Sequence, residues 1–478
     1  MSNAAEEKNT PDPKRWKILY VLVLVVFLTN LDNSIINIAL PTLTGEFNVP
    51  VSSVTWVATS YLITICALLL FFGRLGDIKG NTKILKFGVV VFAIGTLLCG
   101  ISVNFMMLTI SRVIQGIGAA ASMATNQAII SQTFPESERG RALGINVGSV
   151  ALGSLLGPPL GGFILTAFSW RYIFLLRFPI SIIVFLLGNR VLPKRSAINE
   201  KLDMKGFALY ASSVILIFCA IGIGDTIDFS NPFVTVPIII GLFLLAMFII
   251  VERKHSQPML DLTIFKNTLF SVSIVCVFLV FVAMKSINII QPFYLQSARG
   301  MTTLTAGLLT MIYPVTVALV SPFAGYLSDK VDKRIPTLVG LSISTTAYVG
   351  AALMTEHTSL VYTGVIYVLL GFGFALFQSP NTSLIMSSVP QNKLGLAGSV
   401  NALVRNAGHA VGALLCTVIL FSSMSSLYGQ PVNDYVQGRP DLFIHGMRTT
   451  YLVFAGCSLA GALLTAFRLF SLKTIKRS

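Results

Sequence analysis

The chain has 478 residues, of which 54% are apolar and only 11% charged, and its mean hydropathy is +0.80. Soluble domains contain about a quarter charged residues, so this chain has too few polar side chains to cover a water-exposed surface. The low charge also excludes an intrinsically disordered chain. The net charge of +15 would indicate nucleic-acid binding only on a soluble basic face, whereas these Lys and Arg residues flank apolar runs. The composition predicts a polytopic membrane protein that binds no nucleic acid.

A helix that spans a bilayer needs roughly 20 mostly apolar residues. The chain contains fourteen such runs, numbered here as spans 1 to 14: 18–40, 52–73, 84–103, 105–127, 142–166, 172–192, 206–226, 232–251, 268–294, 302–327, 336–354, 360–388, 395–422 and 446–470. If the N-terminus is cytoplasmic and every run crosses, the outward segments hold only Arg171, Arg299, Arg439 and Arg448. This positive-inside pattern predicts a multi-pass protein of the cytoplasmic (inner) membrane with both termini in the cytoplasm.

Two short charged segments repeat one pattern. GRLGDIKGNTK (73–83) follows span 2 and AGYLSDKVDKR (324–334) follows span 10, and each places a Gly four residues before an Asp. A basic loop that only anchors topology is the alternative for either segment alone, but its recurrence favours a duplicated fold. The duplication predicts six-helix bundles at 18–192 and 268–470. A basic linker with the inserted spans 7 and 8 occupies 193–267, and the cytoplasmic tails are 1–17 and 471–478.

Further motifs carry a resemblance to a known family. Span 1 contains LDNSIINIALPTL (31–43), span 4 contains LTISRVIQGIGAA (108–120), and span 5 contains GSLLGPPLGG (153–162), followed by SWRYIFLLRFPI (169–180). Together with the 73–83 segment, they resemble the signature motifs of the fourteen-helix drug/proton antiporter family of the major facilitator superfamily. One departure is Arg177, where that family usually has a neutral polar residue.

The resemblance implies an all-α membrane protein with the major-facilitator fold, that is, two six-helix bundles plus two inserted helices. It implies a proton-coupled antiporter that exports amphipathic compounds by alternating access and has no enzymatic activity. No catalytic residue, metal or cofactor is expected, because the proton gradient drives transport. The expected partners are an amphipathic small molecule, protons and the lipid bilayer, and we expect a monomer.

The resemblance also implies that the repeated segments gate the transporter. The gating residues would be Gly73, Arg74, Asp77, Lys83 and Asp329. A carboxylate at a helix end can bind a neighbouring helix N-terminus or a basic residue, and a solvated loop charge is the alternative.

The motif in span 5 combines residues that bend a helix with residues that allow close packing: Gly153, Gly157, Pro158, Pro159, Gly161 and Gly162. In the family it marks exporters that work by antiport, so these residues are also assigned to gating. Ordinary packing of small residues is the alternative.

Charged residues inside membrane spans are candidates for function because each unpaired charge is costly. Asp32 is the only carboxylate predicted well inside a core span, and Arg112 of span 4 lies at a matching depth in a core of about 30 Å. The two residues are therefore expected to pair, and the resemblance assigns similar residues to proton coupling. A purely structural ion pair is the alternative. His409, on the same helical face as Arg405, is a candidate second proton site or a hydrogen-bonded packing residue.

Polar residues in the middle of spans 1, 4, 9, 12 and 13 predict a substrate cavity. The candidate binding residues are Asn30, Gln115, Lys285, Asn288, Gln291, Gln378, Asn381 and Arg405. Lys285 lies too deep to reach the inner interface, although its stem would reach the outer interface if span 9 is tilted. Four intramembrane cations, namely Arg112, Arg177, Lys285 and Arg405, face one carboxylate. This imbalance predicts a ligand that is acidic, electron-rich or neutral.

Three other functions are alternatives to drug export. An exporter or flippase of one endogenous, possibly anionic, amphiphile or lipid fits the same motifs. A membrane enzyme is disfavoured, because the chain contains no HExxH, GxSxG or GxxxxGK[ST] motif and its loops are short. A channel is disfavoured by the two-half construction and the helices interrupted by Gly and Pro.

Overall fold

The computed structural model describes residues 13–49, 51–193, 202–224, 231–255, 258–430, 432, 435–436 and 438–475. Every regular element in these ranges is a helix. Fourteen of the described helices are long and apolar enough to cross a membrane. Helices are expected for such runs, because a chain in lipid must satisfy its backbone hydrogen bonds within the segment. The predicted all-helical membrane fold is confirmed.

Spans 1 to 14 consist of the following helices: Arg15–Phe47, Trp56–Lys79, Asn81–Gly100, Phe105–Thr133, Glu136–Ala167, Tyr172–Leu175 with Arg177–Val191, Met204–Gly224, Pro232–Lys254, Thr268–Phe293, Thr303–Thr310 with Ile312–Lys330, Arg334–Ala352, Leu360–Ser387, Leu394–Tyr428 and Pro440–Ile475. A short helix at Val51–Val54 precedes span 2. Short 3₁₀ turns at Leu262–Lys266 and Gln391–Lys393 precede spans 9 and 13, and a π turn at Tyr294–Ala298 extends span 9.

The connections that contain the repeated charged segments are shorter than predicted. Span 2 continues to Lys79 and span 3 begins at Asn81, so that Gly80, with φ of 98°, alone separates them. Glycine tolerates this left-handed backbone, which makes the one-residue connection feasible. Asp77 and Asp329 both lie inside helices, which corrects their assignment to loops. Hydropathy underestimates the lengths of these helices, because each helix continues through charged residues beyond its apolar run.

The position of Arg448 differs from the prediction, and parts of the predicted tails and linker lie outside the described residues. Arg448, assigned to an outward segment, lies within the helix of span 14 and is exposed. Residues 1–12 and 476–478 of the predicted tails and residues 194–201 of the predicted linker lie outside the described residues.

The chain forms two compact units. Unit 1 comprises Met1–Pro135, Leu152–Lys266 and Val389–Leu403, and unit 2 comprises Glu136–Ala151, Asn267–Ser388 and Val404–Ser478. Unit 1 therefore contains the start of span 13, and unit 2 contains the start of span 5. Each unit includes a helical segment that the sequence places in the opposite six-helix bundle.

The first inserted span, span 7, packs within unit 1 against span 2. The hydroxyl of Tyr210 in span 7 donates a hydrogen bond to the carbonyl of Cys66 at 2.8 Å. The rings of Phe71 and Phe207 lie 4.5 Å apart. Span 7 thus supports the helix that carries Asp77.

Candidate functional site

A buried ion-pair cluster lies in the middle of unit 1. The Asp32 side chain in span 1 has no solvent exposure. Nη1 of Arg112 in span 4 donates to one carboxylate oxygen at 2.6 Å, and Arg177 of span 6 forms an ion pair with the other oxygen. The structure thus brings Asp32 and Arg112 together and adds a second arginine, so that the cluster carries one negative and two positive charges.

A polar amide supports this cluster. Nε2 of Gln115 donates to Asp32 at 3.0 Å and to the hydroxyl of Thr96 at 2.8 Å, while its oxygen accepts from Arg112 at 2.5 Å. The Arg112 guanidinium also lies 4.2 Å from the ring centre of Tyr61. Gln115 was assigned to substrate binding, but these contacts make it a positioning residue for the ion pairs. The arrangement fixes the carboxylate in one orientation.

Arg177 is the main member of the cluster that sequence reasoning did not place there. The sequence shows it as a departure from the family pattern and as one of four intramembrane cations that face one carboxylate. The Nε atom of Arg177 donates to the carbonyl of Ile173 at 2.7 Å, one turn earlier in the chain, which holds the side chain in place. The signal that would have found it is its unusual charge beside a buried carboxylate that needs neutralisation.

The other intramembrane cations lie in unit 2. Lys285 of span 9 is partly exposed, as are Arg405 and His409 of span 13. Arg405 and His409 lie beside the ring of Phe281, and Lys285 is an electrostatic neighbour of His409. The four intramembrane cations therefore fall into two clusters, one in each unit. Those in unit 1 are paired with Asp32.

The predicted cavity residues of spans 1 and 9 differ in their surroundings. Nδ2 of Asn30 donates to the carbonyl of Val26 in its own helix at 2.8 Å. Asn288 is exposed, one turn from Lys285. Gln291 is buried, and its Nε2 atom has no hydrogen-bond partner among the described residues. Asn288 is thus available to a ligand, whereas Asn30 is bonded to its own helix.

The predicted cavity residues of span 12 are both buried. Nδ2 of Asn381 donates to the carbonyl of Ser273 in span 9 at 3.0 Å, which ties the two helices together. Gln378 is enclosed, and within the described part of the chain neither of its amide atoms has a hydrogen-bond partner. Asn381 therefore has a packing role in this conformation.

Asp77 binds the start of the span 13 helix within unit 1. Its two carboxylate oxygens accept from the backbone N–H groups of Gly395 and Leu396, each at 2.8 Å. A Cβ added at Gly73 would lie 1.8 Å from Oγ of Ser399, so only glycine permits this approach. Asp77 is 8% exposed, which excludes the solvated-loop interpretation.

Asp329 makes a related contact within unit 2. Its oxygens accept from the backbone N–H groups of Gly140 and Arg141 in span 5, at 2.7 and 2.8 Å. A Cβ on Gly325 would lie 2.2 Å from the carbonyl oxygen of Gly140. Both repeats of the charged motif therefore use a glycine for close approach and an aspartate to bind backbone amides.

The remaining residues assigned to the first gate are less central. Arg74 is an electrostatic neighbour of Asp77, and the side chain of Asn81 is hydrogen-bonded to Asp77. Lys83 is exposed in the first turn of span 3. Asn81 was not singled out from the sequence, although it directly follows the one-residue connection at Gly80.

The glycines of the span 5 motif face span 1. A Cβ on Gly157 would lie 2.4 Å from Cβ of Ser34, and one on Gly153 would lie 2.8 Å from a backbone carbonyl of the same helix. Gly161 lies against Ile35, with less severe contacts. These positions bring the backbone of span 5 next to the segment of span 1 that carries Asp32.

The other residues of this motif do not make that contact. A Cβ on Gly162 would meet nothing within 4 Å, and Pro158 and Pro159 are exposed. The helix continues through both prolines to Ala167. Helix packing by the small residues, which is the alternative for this motif, is therefore present in the structure.

No group of three His, Cys, Asp or Glu side chains in the described ranges has the arrangement of a metal site.

Comparisons with known proteins agree with this architecture. The chain is 33% identical over 468 residues to the Riboflavin transporter RibZ of Clostridioides difficile (strain 630). This alignment covers 97% of this chain and 99% of that protein. The chain is also 30% identical over 405 residues to the Multidrug resistance protein Stp of Mycobacterium tuberculosis (strain ATCC 25618 / H37Rv). This alignment covers 84% of this chain and 75% of that protein.

The fold is similar to the crystal structure of the human organic anion transporter MFSD10 (TETRAN), with a TM-score of 0.65 and 15% identity. The match covers 95% of this chain and 100% of that chain. The family model of the Major Facilitator Superfamily matches residues 22–413. The resemblance to drug-efflux transporters that the motifs carried is confirmed, and the chain belongs to the Major Facilitator Superfamily of membrane transporters.

Proposed function

We propose that this protein is a proton-coupled antiporter that exports amphipathic small molecules from the cytoplasm. The observation that carries the proposal is the fully buried Asp32 carboxylate held by Arg112 and Arg177. An ion pair removed from water costs several kcal/mol per ion in desolvation, so a protein of this family retains one in its core for a reason other than stability. A carboxylate that gains and loses a proton is such a reason.

Protonation of Asp32 changes the balance of this cluster. The neutral acid no longer compensates Arg112 and Arg177, and two guanidinium groups are then left buried with a net charge of two. Such a state is unfavourable unless the helices move and admit water or another partner. Proton binding would therefore favour a different arrangement of spans 1, 4 and 6, which is the requirement for coupling.

The contacts of Asp77 and Asp329 provide the proposed gates. Each carboxylate binds backbone amides of a helix from the opposite predicted bundle: span 2 to span 13, and span 10 to span 5. In the predicted topology both contacts lie at the cytoplasmic ends of the spans. Transport by alternating access requires these contacts to open and close once in each cycle.

The relatives suggest two classes of substrate. Similarity to a multidrug resistance protein supports export of several lipophilic compounds. Similarity to a riboflavin transporter along nearly the whole chain supports a second candidate, the transport of one flavin-like metabolite. A panel of unrelated lipophilic compounds assayed beside riboflavin in one proteoliposome system separates the two. Saturable transport of riboflavin alone supports the second candidate.

The test of proton coupling is Asp32→Asn in proteoliposomes with an imposed proton gradient. The amide cannot carry a proton, so gradient-driven transport should fall at least roughly tenfold, while exchange without a gradient continues. Asp32→Glu keeps the carboxylate and should retain part of the coupled transport, which separates coupling from misfolding. The matched control is Asp441→Asn, at an exposed carboxylate outside the cluster. Full gradient-driven transport by Asp32→Asn would contradict the proposal.

A further inference from the structure

A cluster of cations without a carboxylate lies in the middle of unit 2. Lys285 and Arg405 are both electrostatic neighbours of His409. The Arg405 guanidinium lies 5.8 Å from the ring centre of Phe281, and the ring of His409 lies 5.0 Å from it. We call Lys285, Arg405 and His409 the cationic cluster.

Two glycines of span 13 create this juxtaposition. A Cβ on Gly408 would lie 2.9 Å from Cβ of Phe281, and one on Gly412 would lie 2.4 Å from the carbonyl oxygen of Val282. The GHAVG segment (408–412) thus packs span 13 directly on the backbone of span 9. Lys285 is therefore held beside span 13, which argues against the interpretation in which its side chain reaches the outer interface.

The cluster has no counter-ion among the described residues. Neither Lys285 nor Arg405 forms an ion pair there, and Nδ1 of His409 has no hydrogen-bond partner in the described ranges. The described acidic residues of unit 2 all lie near helix ends or in connections: Glu136, Glu138, Asp329, Asp332, Glu356 and Asp441. In unit 1 both buried arginines are paired with Asp32. In unit 2 the cationic cluster has no such carboxylate among the described residues.

An aromatic surface adjoins the cations. Phe281 contacts Phe374 at 5.6 Å, and Phe374 contacts Tyr313 at 6.2 Å between ring centres. Phe374 and Tyr313 also line a small, mostly apolar pocket within unit 2.

We infer that the cationic cluster and the adjoining aromatic surface bind a planar aromatic substrate that carries a carboxylate or phosphate group. The anionic group supplies the counter-ion that the unit lacks, and the aromatic body packs on Phe281 and Phe374. The inference rests on the proposed function, because it takes the bound molecule to be the transported one. Cationic aromatic compounds are excluded from the site by repulsion from Lys285 and Arg405.

The experiment is equilibrium binding to the purified full-length protein in phosphatidylcholine nanodiscs without a proton gradient. The probes are fluorescein, an anion, and rhodamine 123, a cation with the same xanthene skeleton, followed by fluorescence anisotropy. The wild type should bind fluorescein at least about tenfold more tightly than rhodamine 123. Equal affinities, or no saturable binding of fluorescein, would overturn the inference.

Variants then test whether the cationic cluster causes the preference for fluorescein over rhodamine 123. Lys285→Met and Arg405→Gln should each weaken fluorescein binding about tenfold, because each removes one charge facing the anion. Lys285→Arg keeps the charge and should restore the affinity. Lys254→Met and Arg448→Gln are the matched controls, since both side chains are exposed elsewhere. Fluorescein affinity that is unchanged in both cluster variants, with wild-type thermal stability, would refute the site.

A lipid headgroup is the other source of such an anion. Binding is therefore repeated in nanodiscs that contain phosphatidylglycerol. Fluorescein affinity that stays constant supports a soluble substrate. Affinity that falls in the wild type but not in Lys285→Met would show that the lipid occupies the site, and would overturn the substrate assignment. Fluorescein that binds but is not transported in a proton gradient would contradict the proposed export and leave the anion site standing.

Discussion

The Asp77 and Asp329 contacts use the same repeated motif, yet they bind different parts of their partner helices. Asp77 accepts from Gly395 and Leu396, which lie in the first turn of the span 13 helix that begins at Leu394. Backbone amides in a first turn have no partner inside the helix. Asp329 instead accepts from Gly140 and Arg141, one turn inside the span 5 helix, where the amides also face intrahelical carbonyls.

Burial adds to this difference. Asp77 is buried, whereas Asp329 is partly exposed and has Lys333 and Arg139 as electrostatic neighbours. Hydrogen bonds that otherwise unsatisfied buried amides donate to a carboxylate are stronger than bonds that water or intrahelical carbonyls can replace. A duplicated sequence motif thus yields one strong and one weak contact.

The inserted helices strengthen the contact of Asp77 further. Lys393, which immediately precedes the span 13 helix, forms an ion pair with Asp261 in the connection after span 8. Burial raises the pKa of the Asp261 carboxyl, but its hydrogen bonds from Lys393 and Thr263 outweigh this effect and hold the pKa below its usual range. Span 7 also packs on span 2, so the insertion supports both partners of the Asp77 contact.

The largest effect is expected for Asp77→Asn. The amide loses the charge that binds two unsatisfied backbone N–H groups, so the maximal transport rate should fall about tenfold while KM stays within about twofold. Initial rates in proteoliposomes over a range of substrate concentrations measure both parameters. A large rise in KM at a normal maximal rate would contradict the gating assignment.

Asp329→Asn should have a smaller effect in the same direction. Because the amides it binds also have intrahelical carbonyls, we expect the maximal rate to fall about threefold or less. Asp332→Asn, a neighbouring carboxylate that bonds to Arg334, is the matched control in the same assay. If Asp329→Asn slowed transport more than Asp77→Asn, the ranking of the two contacts would be reversed.

The smallest effect is expected for Asp261→Asn. A partly exposed ion pair contributes little, so the unfolding temperature at neutral pH should fall by only about 1–2 °C. The lowered pKa means that the ionised carboxyl stabilises the fold above its usual pKa, and that this contribution disappears as the pH falls through the lowered value. Thermal unfolding of both proteins across that range should show the difference vanish in acid. A constant difference at every pH would exclude the ion pair as its cause.

Much of the fold could be predicted from hydropathy and charge, but the grouping of charges could not. The depths of Asp32 and Arg112 along their helices were sufficient to predict that they would meet. Arg177 was missed because depth alone does not show which helical faces meet. The separate cluster around Lys285 was missed for the same reason, although the glycine spacing at 408 and 412 marks the close approach of spans 9 and 13.

The glycine face of span 5 also bears on how this protein can evolve. At Gly153 and Gly157 even a methyl group would collide with span 1, so substitution there requires the two helices to separate. Lys285, whose side chain is partly exposed, can change without such movement. In a mutant library selected for transport of a new compound, the recovered changes should gather around Lys285 and spare the glycines. Substrate range can thus diversify while the helix pair that holds Asp32 is inherited intact.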